Sequence, residues 1–277
     1  MEKPDSDSDL LGHYGSVVEA ERLAQGPGRL ERVRTQELLT RYLPPPPSVI
    51  LDVGGGPGAY ACWLAQRGYE VHLIDIVPWH VEQAREASQR EPAHPLASAA
   101  VGDARRLERA AASVDAVLLF GPLYHLTERQ DRIQALREAC RVLRPGGIVL
   151  AAGISRFASV LDGLVRGYLD DPEFARIVER DLRDGQHRNR TSNPAYFTTA
   201  FFHHPEELAA EVQEAGLQHQ ATLAVEGPGW LLQNFDAHWN DAARRERLLK
   251  ALRALECEPS VLGASAHLLA VARKIEA

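Results

Sequence analysis

Val49-Ile50-Leu51-Asp52-Val53-Gly54-Gly55-Gly56-Pro57-Gly58 is an apolar run that ends in an acid and passes directly into a glycine-rich turn that opens a helix. The segment therefore reads as strand, tight turn and helix. Glycine suits such a turn because it reaches backbone conformations closed to other side chains and lets a ligand approach the main chain. Alone, the segment is a weak signal. Many nucleotide-binding proteins have a turn of this kind, and a purely structural strand-to-helix connection uses the same residues.

Its surroundings make it specific. A second strand, His72-Leu73-Ile74-Asp75, also ends in an acid, at the spacing expected of a group that grips ribose hydroxyls. A carboxylate fits that work because it accepts two hydrogen bonds. A third, Val101-Gly102-Asp103-Ala104, brings an acid to the same sheet edge, where it could receive an adenine amino group.

Working outward, strand-like runs at 49–53, 70–75, 96–101, 114–120 and 147–154 are separated by helical spacing at 57–67, 79–90, 128–142 and 205–215. That alternation predicts a Rossmann-like, doubly wound α/β sheet. The nearly continuous apolar runs at 114–120 and 148–152 fit strands covered by helices on both faces. Two helices, 15–25 and 29–42, precede the first strand, and Pro44 to Pro47 carry the chain into it in extended form. The serine-rich acidic start, to about Asp9, is expected to fray. After the fifth strand the alternation stops for two helices, 157–168 and 172–184, then a polar loop and an aromatic cluster. It resumes with a helix after Pro205, a strand at 217–225, a helix at 234–256 and a strand at 265–273. The expected organisation is an N-terminal tail and helices (1–43), a core (44–154 and 203–277) and a helical lid inserted at 155–202.

Composition narrows the function. With 277 residues, 45% of them apolar, the chain can bury one large core, and its net charge of -7 repels a phosphate backbone. Nucleic acid is therefore not the expected partner. No apolar run approaches a membrane span and no signal peptide is visible, which gives a cytoplasmic, membrane-free expectation. Cys62, Cys140 and Cys257 are far apart and odd in number, so neither a disulfide framework nor a metal site is expected.

On these motifs, residues 49–154 resemble the class I S-adenosylmethionine-dependent methyltransferase family. Phe120-Gly121-Pro122-Leu123-Tyr124-His125-Leu126 and Leu143-Arg144-Pro145-Gly146-Gly147 are similar to segments of its small-molecule branch. The resemblance implies a seven-stranded sheet of order 3-2-1-4-5-7-6, closed by an antiparallel pair. It implies that Asp52, Gly54, Gly55, Gly56 and Gly58 hold the methionine part of S-adenosylmethionine. Asp75 and Ile76 would hold ribose, and Asp103 and Ala104 adenine, with Phe120 and Gly121 completing the cofactor set. S-adenosylhomocysteine is the implied product. A dinucleotide-dependent oxidoreductase shares this fold logic, but a carboxylate beside the turn suits a cationic cofactor better than a pyrophosphate.

For catalysis the chain offers His125 as general base, because its loop resembles the family's acceptor-facing loop, with Tyr14 as an aromatic that closes over the cofactor. His13, Tyr124, Tyr196 and His203 are the candidate acceptor contacts. Each has a plainer reading: His125 as a packing residue of the next helix, Tyr14 as an interfacial residue. Five of the seven phenylalanines lie in the lid, which suits an apolar acceptor and equally suits ordinary lid packing. Arg183, Arg188 and Arg190 could meet an acidic acceptor or form a solvated face. The expected activity is methylation of oxygen, nitrogen or carbon in a small molecule, such as a secondary metabolite. The alternatives are methylation of RNA or protein, or cofactor binding without turnover. A homodimer stays open.

Overall fold

The fold is given by a computed structural model, which describes residues 19–191 and 193–275. Five strands, β1 (Val49–Val53), β2 (Glu70–Asp75), β3 (Ser98–Val101), β4 (Val114–Leu119) and β5 (Leu143–Ser155), pair in parallel in the order β3-β2-β1-β4-β5. Four more follow: β6 (Gln186–His187), β7 (Ala200–His203), β8 (Leu217–Ala224) and β9 (His267–Lys274). β9 pairs with β5 and β8 pairs with β9, which is the expected order 3-2-1-4-5-7-6 when the two closing strands take their family places.

The helices are α1 (Glu19–Arg22), α2 (Gly28–Tyr42), α3 (Ala59–Ala65), α4 (Pro78–Gln89), α5 (Pro122–His125), α6 (Arg129–Val142), α7 (Ala158–Arg166), α8 (Pro172–Asp184), α9 (Pro205–Glu214), α10 (Phe235–Trp239) and α11 (Ala242–Leu255). Proline opens α4, α5 and α8, where its missing N–H costs nothing and its fixed φ already suits the helix. Asp171 caps α8 by accepting from the Glu173 amide.

By backbone proximity the described residues divide into two compact units, one holding 38–152, 209–221 and 270–275, the other 19–37, 153–191, 193–208 and 222–269. The first contains the parallel sheet. Ile50, Leu51 and Val53 of β1 and Val117, Leu118 and Leu119 of β4 are all buried, which is why their sequence shows no polar alternation. In the second, α2, α10 and α11 enclose Leu30, Phe235, Trp239, Leu249 and Leu252, while Phe174, Ile177, Val178 and Tyr196 form a separate cluster against Tyr168. Buried Arg34 is satisfied by Glu37, Glu256 and the Val225 carbonyl.

Two expectations are corrected. The helix expected over 234–256 is two helices. Asp241 leaves the helical conformation and caps α11 by accepting from the Arg244 amide at 2.9 Å. The stretch after α8 is not simply loop and aromatic cluster. β7 pairs in parallel with the end of β5 (Ile154 with Phe202, Ser155 with His203) and antiparallel with β6. Among the described residues no helix is long and apolar enough to cross a membrane. The expected N-terminal tail, and residues 15–18 of the first expected helix, lie outside the described residues.

Candidate active site

Gly54, Gly56 and Gly58 have φ of 75°, 54° and 87°, so the turn after β1 alternates through the left-handed region and then opens α3. Only glycine takes these values repeatedly at low cost. A Cβ built on Gly55 would lie 2.8 Å from Asp52 Oδ2, which places that carboxyl directly beneath the turn. A Cβ on Gly56 meets nothing within 4 Å, so this glycine faces open space. Gly56→Ala is therefore expected to cost about 1 kcal/mol of stability, from its φ alone, while weakening any ligand on the turn by a larger factor. Thermal melts and calorimetric titration of the same variant check the two halves.

The acids the sequence singled out come to one edge of the sheet but in different states. Asp52 is 1% exposed, and among the described residues neither carboxylate oxygen has a hydrogen-bond partner. Burial, and then the charge of Asp75, push its carboxyl up to about 7. The sequence reading counted this residue as a carboxylate beside the turn; its burial shifts it toward the neutral acid. Asp75, also buried, is well supplied: the Gly56 amide donates to Oδ2 and the Val77 amide to Oδ1, each at 2.8 Å. Among the described residues Oδ2 has this one donor, the Gly56 amide, which leaves it a second lone-pair direction for a hydroxyl. His80 Nδ1, on the buried side of α4, lies 3.5 Å from Asp75 Oδ1. Sequence reasoning did not single out His80; its signal was a histidine in the turn that follows the acid.

Asp103 is half-buried and gripped by Arg105, whose Nε and Nη2 donate to it at 3.0 and 2.6 Å, while Nη1 reaches Asp131 at 3.0 Å. Burial opposes ionisation of Asp103, but the Arg105 hydrogen bonds and charge outweigh it and hold the carboxyl below its ordinary range. Ala104 is buried and Ile76 partly so. Phe120 meets Tyr60 edge to face at 5.7 Å. Gly121, with φ 146°, leads into α5, and its built Cβ would lie 3.9 Å from the Tyr124 hydroxyl. The His125 ring lies 4.8 Å from that of Tyr124, and both side chains are partly buried.

Two further candidates are enclosed in the other unit. Tyr196 donates to Asp171 Oδ2 at 2.7 Å and packs against Phe174 and Tyr168. His203 is fully buried, edge-on to Phe201 and beside Gly153. Both side chains are buried within that unit. Arg188 is likewise engaged, with the His187 and Ala200 carbonyls. His13 and Tyr14 lie outside the described residues.

The family description "Methyltransferase domain" matches residues 50–147, which include the turn, all three acids and the α5 loop. An uncharacterized methyltransferase of Mycobacterium bovis is 31% identical over 201 residues, covering 72% of this chain and 71% of the relative. Methyltransferase GfsG of Streptomyces halstedii is 31% identical over 175 residues, covering 63% of this chain but only 57% of GfsG. Among solved structures, a S-adenosylmethionine-dependent methyltransferase from Methanosarcina mazei matches with a TM-score of 0.58 at 18% identity, over 87% of this chain and 98% of the other. That last likeness is one of fold.

Proposed function

Because the chain belongs to the class I S-adenosylmethionine-dependent methyltransferases, we propose that it moves the cofactor's methyl group to oxygen, nitrogen or carbon of a small-molecule acceptor. The observation that carries this reading is the glycine turn standing over a buried carboxyl that lacks a partner among the described residues, with a well-oriented second acid on the neighbouring strand. The residues present fit a cationic nucleoside. Asp52 offers a desolvated acceptor to an ammonium, the turn leaves room at Gly56, Asp75 offers an oriented carboxylate for ribose hydroxyls, and Asp103 an acceptor for adenine.

S-adenosylmethionine supplies, when bound, a methyl carbon made electrophilic by its sulfonium. The chain's part is to hold the acceptor in line, an alignment that contributes about 7–11 kcal/mol in well-oriented model reactions. His125 is the proposed base, taking the proton of an acceptor hydroxyl or ammonium, with Tyr124 as its neighbour on α5. A net charge of -7 favours a small acceptor over a polyanion.

Asp75→Asn is expected to raise the dissociation constant for S-adenosylhomocysteine by roughly 10- to 100-fold, the effect of losing charge-assisted hydrogen bonds. Titration calorimetry beside a thermal melt separates that loss from unfolding. The acceptor class is tested by incubating the protein with cell extract and radiolabelled S-adenosylmethionine, then separating by size. Label in the low-mass fraction supports the reading; label confined to RNA or protein would replace it.

A further inference from the structure

Asp52 stands in β1 with Leu73 and Leu118 as its in-register neighbours, so the strands on either side offer it no polar side chain at its own level. Two backbone amides donate to Asp75, and none donates to the Asp52 carboxylate among the described residues. With no donor to stabilise its charge and a buried site around it, the Asp52 carboxyl is favoured in its neutral form. Among the described residues, the Cys62 thiol from α3 also faces Asp52, and burial first, and then the Asp52 charge, push that thiol up. On the far side of Asp75 stands His80 from α4.

We propose that Asp52 carries a proton in the ligand-free protein and gives it up to solvent when an ammonium seats on the glycine turn, so that cofactor capture is coupled to proton release. This rests on the reading of the turn as the cofactor's amino-acid site. The step is a simple ionisation: the Asp52 O–H bond breaks, its electron pair stays on oxygen, the proton goes to the buffer, and no other bond changes. A cation within a few ångströms in a desolvated site favours the anion strongly, whereas before binding burial and Asp75 favour the neutral acid. With the carboxyl held up to about 7, release is close to one proton near pH 6 and about half near pH 7, a range in which the ligand's own amino group stays an ammonium. The cofactor's apparent affinity then rises with pH across this range.

The test is titration calorimetry of the full chain in pairs of buffers that differ in ionisation enthalpy, with two probes. S-adenosylhomocysteine carries the ammonium; 5'-methylthioadenosine keeps the nucleoside and lacks the amino acid. The expected result is a buffer-dependent heat for the first, equivalent to about one proton near pH 6 and about half that near pH 7, and a buffer-independent heat for the second. Asp52→Asn should release no proton with S-adenosylhomocysteine, while its binding of methylthioadenosine reports that the variant is folded. Buffer-independent binding of S-adenosylhomocysteine by the unaltered protein, or unchanged release by Asp52→Asn, overturns the proposal and leaves the cofactor assignment standing. No binding of S-adenosylhomocysteine at all overturns the assignment and the proposal together.

Discussion

Arg132→Met is expected to lower the unfolding free energy by about 3–5 kcal/mol, and the double change Arg132→Met with Glu211→Leu to recover most of that loss. Arg132 on α6 is 1% exposed and Glu211 on α9 is 2% exposed. The guanidinium meets the carboxylate with two donors, Nε to Oε2 at 2.9 Å and Nη2 to Oε1 at 2.6 Å. Its remaining nitrogen, Nη1, donates to the carbonyls of Leu126 and Thr127 at 3.0 and 2.9 Å. Removing the cation alone takes the bidentate partner from a buried Glu211, and Arg129, 3.9 Å away, is too distant to replace those two hydrogen bonds. Removing both charges substitutes apolar contact for a pair whose desolvation cost was never small. Urea denaturation of the two variants decides the matter, and equal losses would show that the ion pair is not the source.

The same change should reach the chemistry. Leu126 and Thr127 directly follow His125, and their carbonyls lose the donor that fixes them, so turnover should fall in the single variant and stay low in the double one. Stability and activity thus part company in the double variant, which an effect through unfolding alone would not produce.

Much of this architecture could be read from the chain, because the parallel strands are long enough to show an apolar run and each ends in a residue type with a chemical purpose. β1 and β2 fall where their patterns place them, 49–53 and 70–75, and α8 spans its expected 172–184. The short strands could not be read in the same way. Two residues in β6 and four in β7 are too few to display a period, and their pairing is decided by contact with β5. The break between α10 and α11 did leave a signal, the Asn240-Asp241 pair, but the apolar spacing on either side runs through it.

In the site, residue identity was legible and residue state was not. Asp52, Asp75 and Asp103 look alike in sequence. One is buried beneath the turn without a partner among the described residues, one is held by two amides, and one is clamped by Arg105, differences set by burial and by how the turns fold back on each acid. Tyr196 and His203 were singled out by residue type, and their burial follows from packing that no local pattern announces.

Stability is expected to fall as pH rises from about 6.5 to about 9, and His267→Gln should remove the part of that slope above about pH 7.5, beyond the range in which Asp52 titrates. His267 Nδ1 lies 2.6 Å from Glu226 Oε1 and 3.9 Å from Glu31, whose carboxylate is in turn held by Arg22 at 2.5 Å. Burial works against the charged imidazole, but the charges of Glu226 and Glu31 and the Glu226 hydrogen bond outweigh it and carry the ring up to about 9. A group whose pKa is raised on folding contributes fully below its unfolded value, near 6.5, and loses that contribution as pH climbs through the folded value. The stabilisation at stake is on the order of 3 kcal/mol, from the difference between about 9 and 6.5. Glu31 has the opposite sign: burial resists its ionisation, Arg22 and His267 overcome that, and its contribution is lost as pH falls below the ordinary carboxylate range. These ligand atoms, from Glu31, Glu226 and His267, all lie within 4.8 Å of one another, a spacing a divalent ion could use. Two cations, Arg22 and the protonated ring, already balance the two carboxylates, so added metal should not raise the melting temperature at neutral pH. Denaturant midpoints at several pH values, for the unaltered protein and for His267→Gln, check the slope; parallel curves would mean that another group sets it.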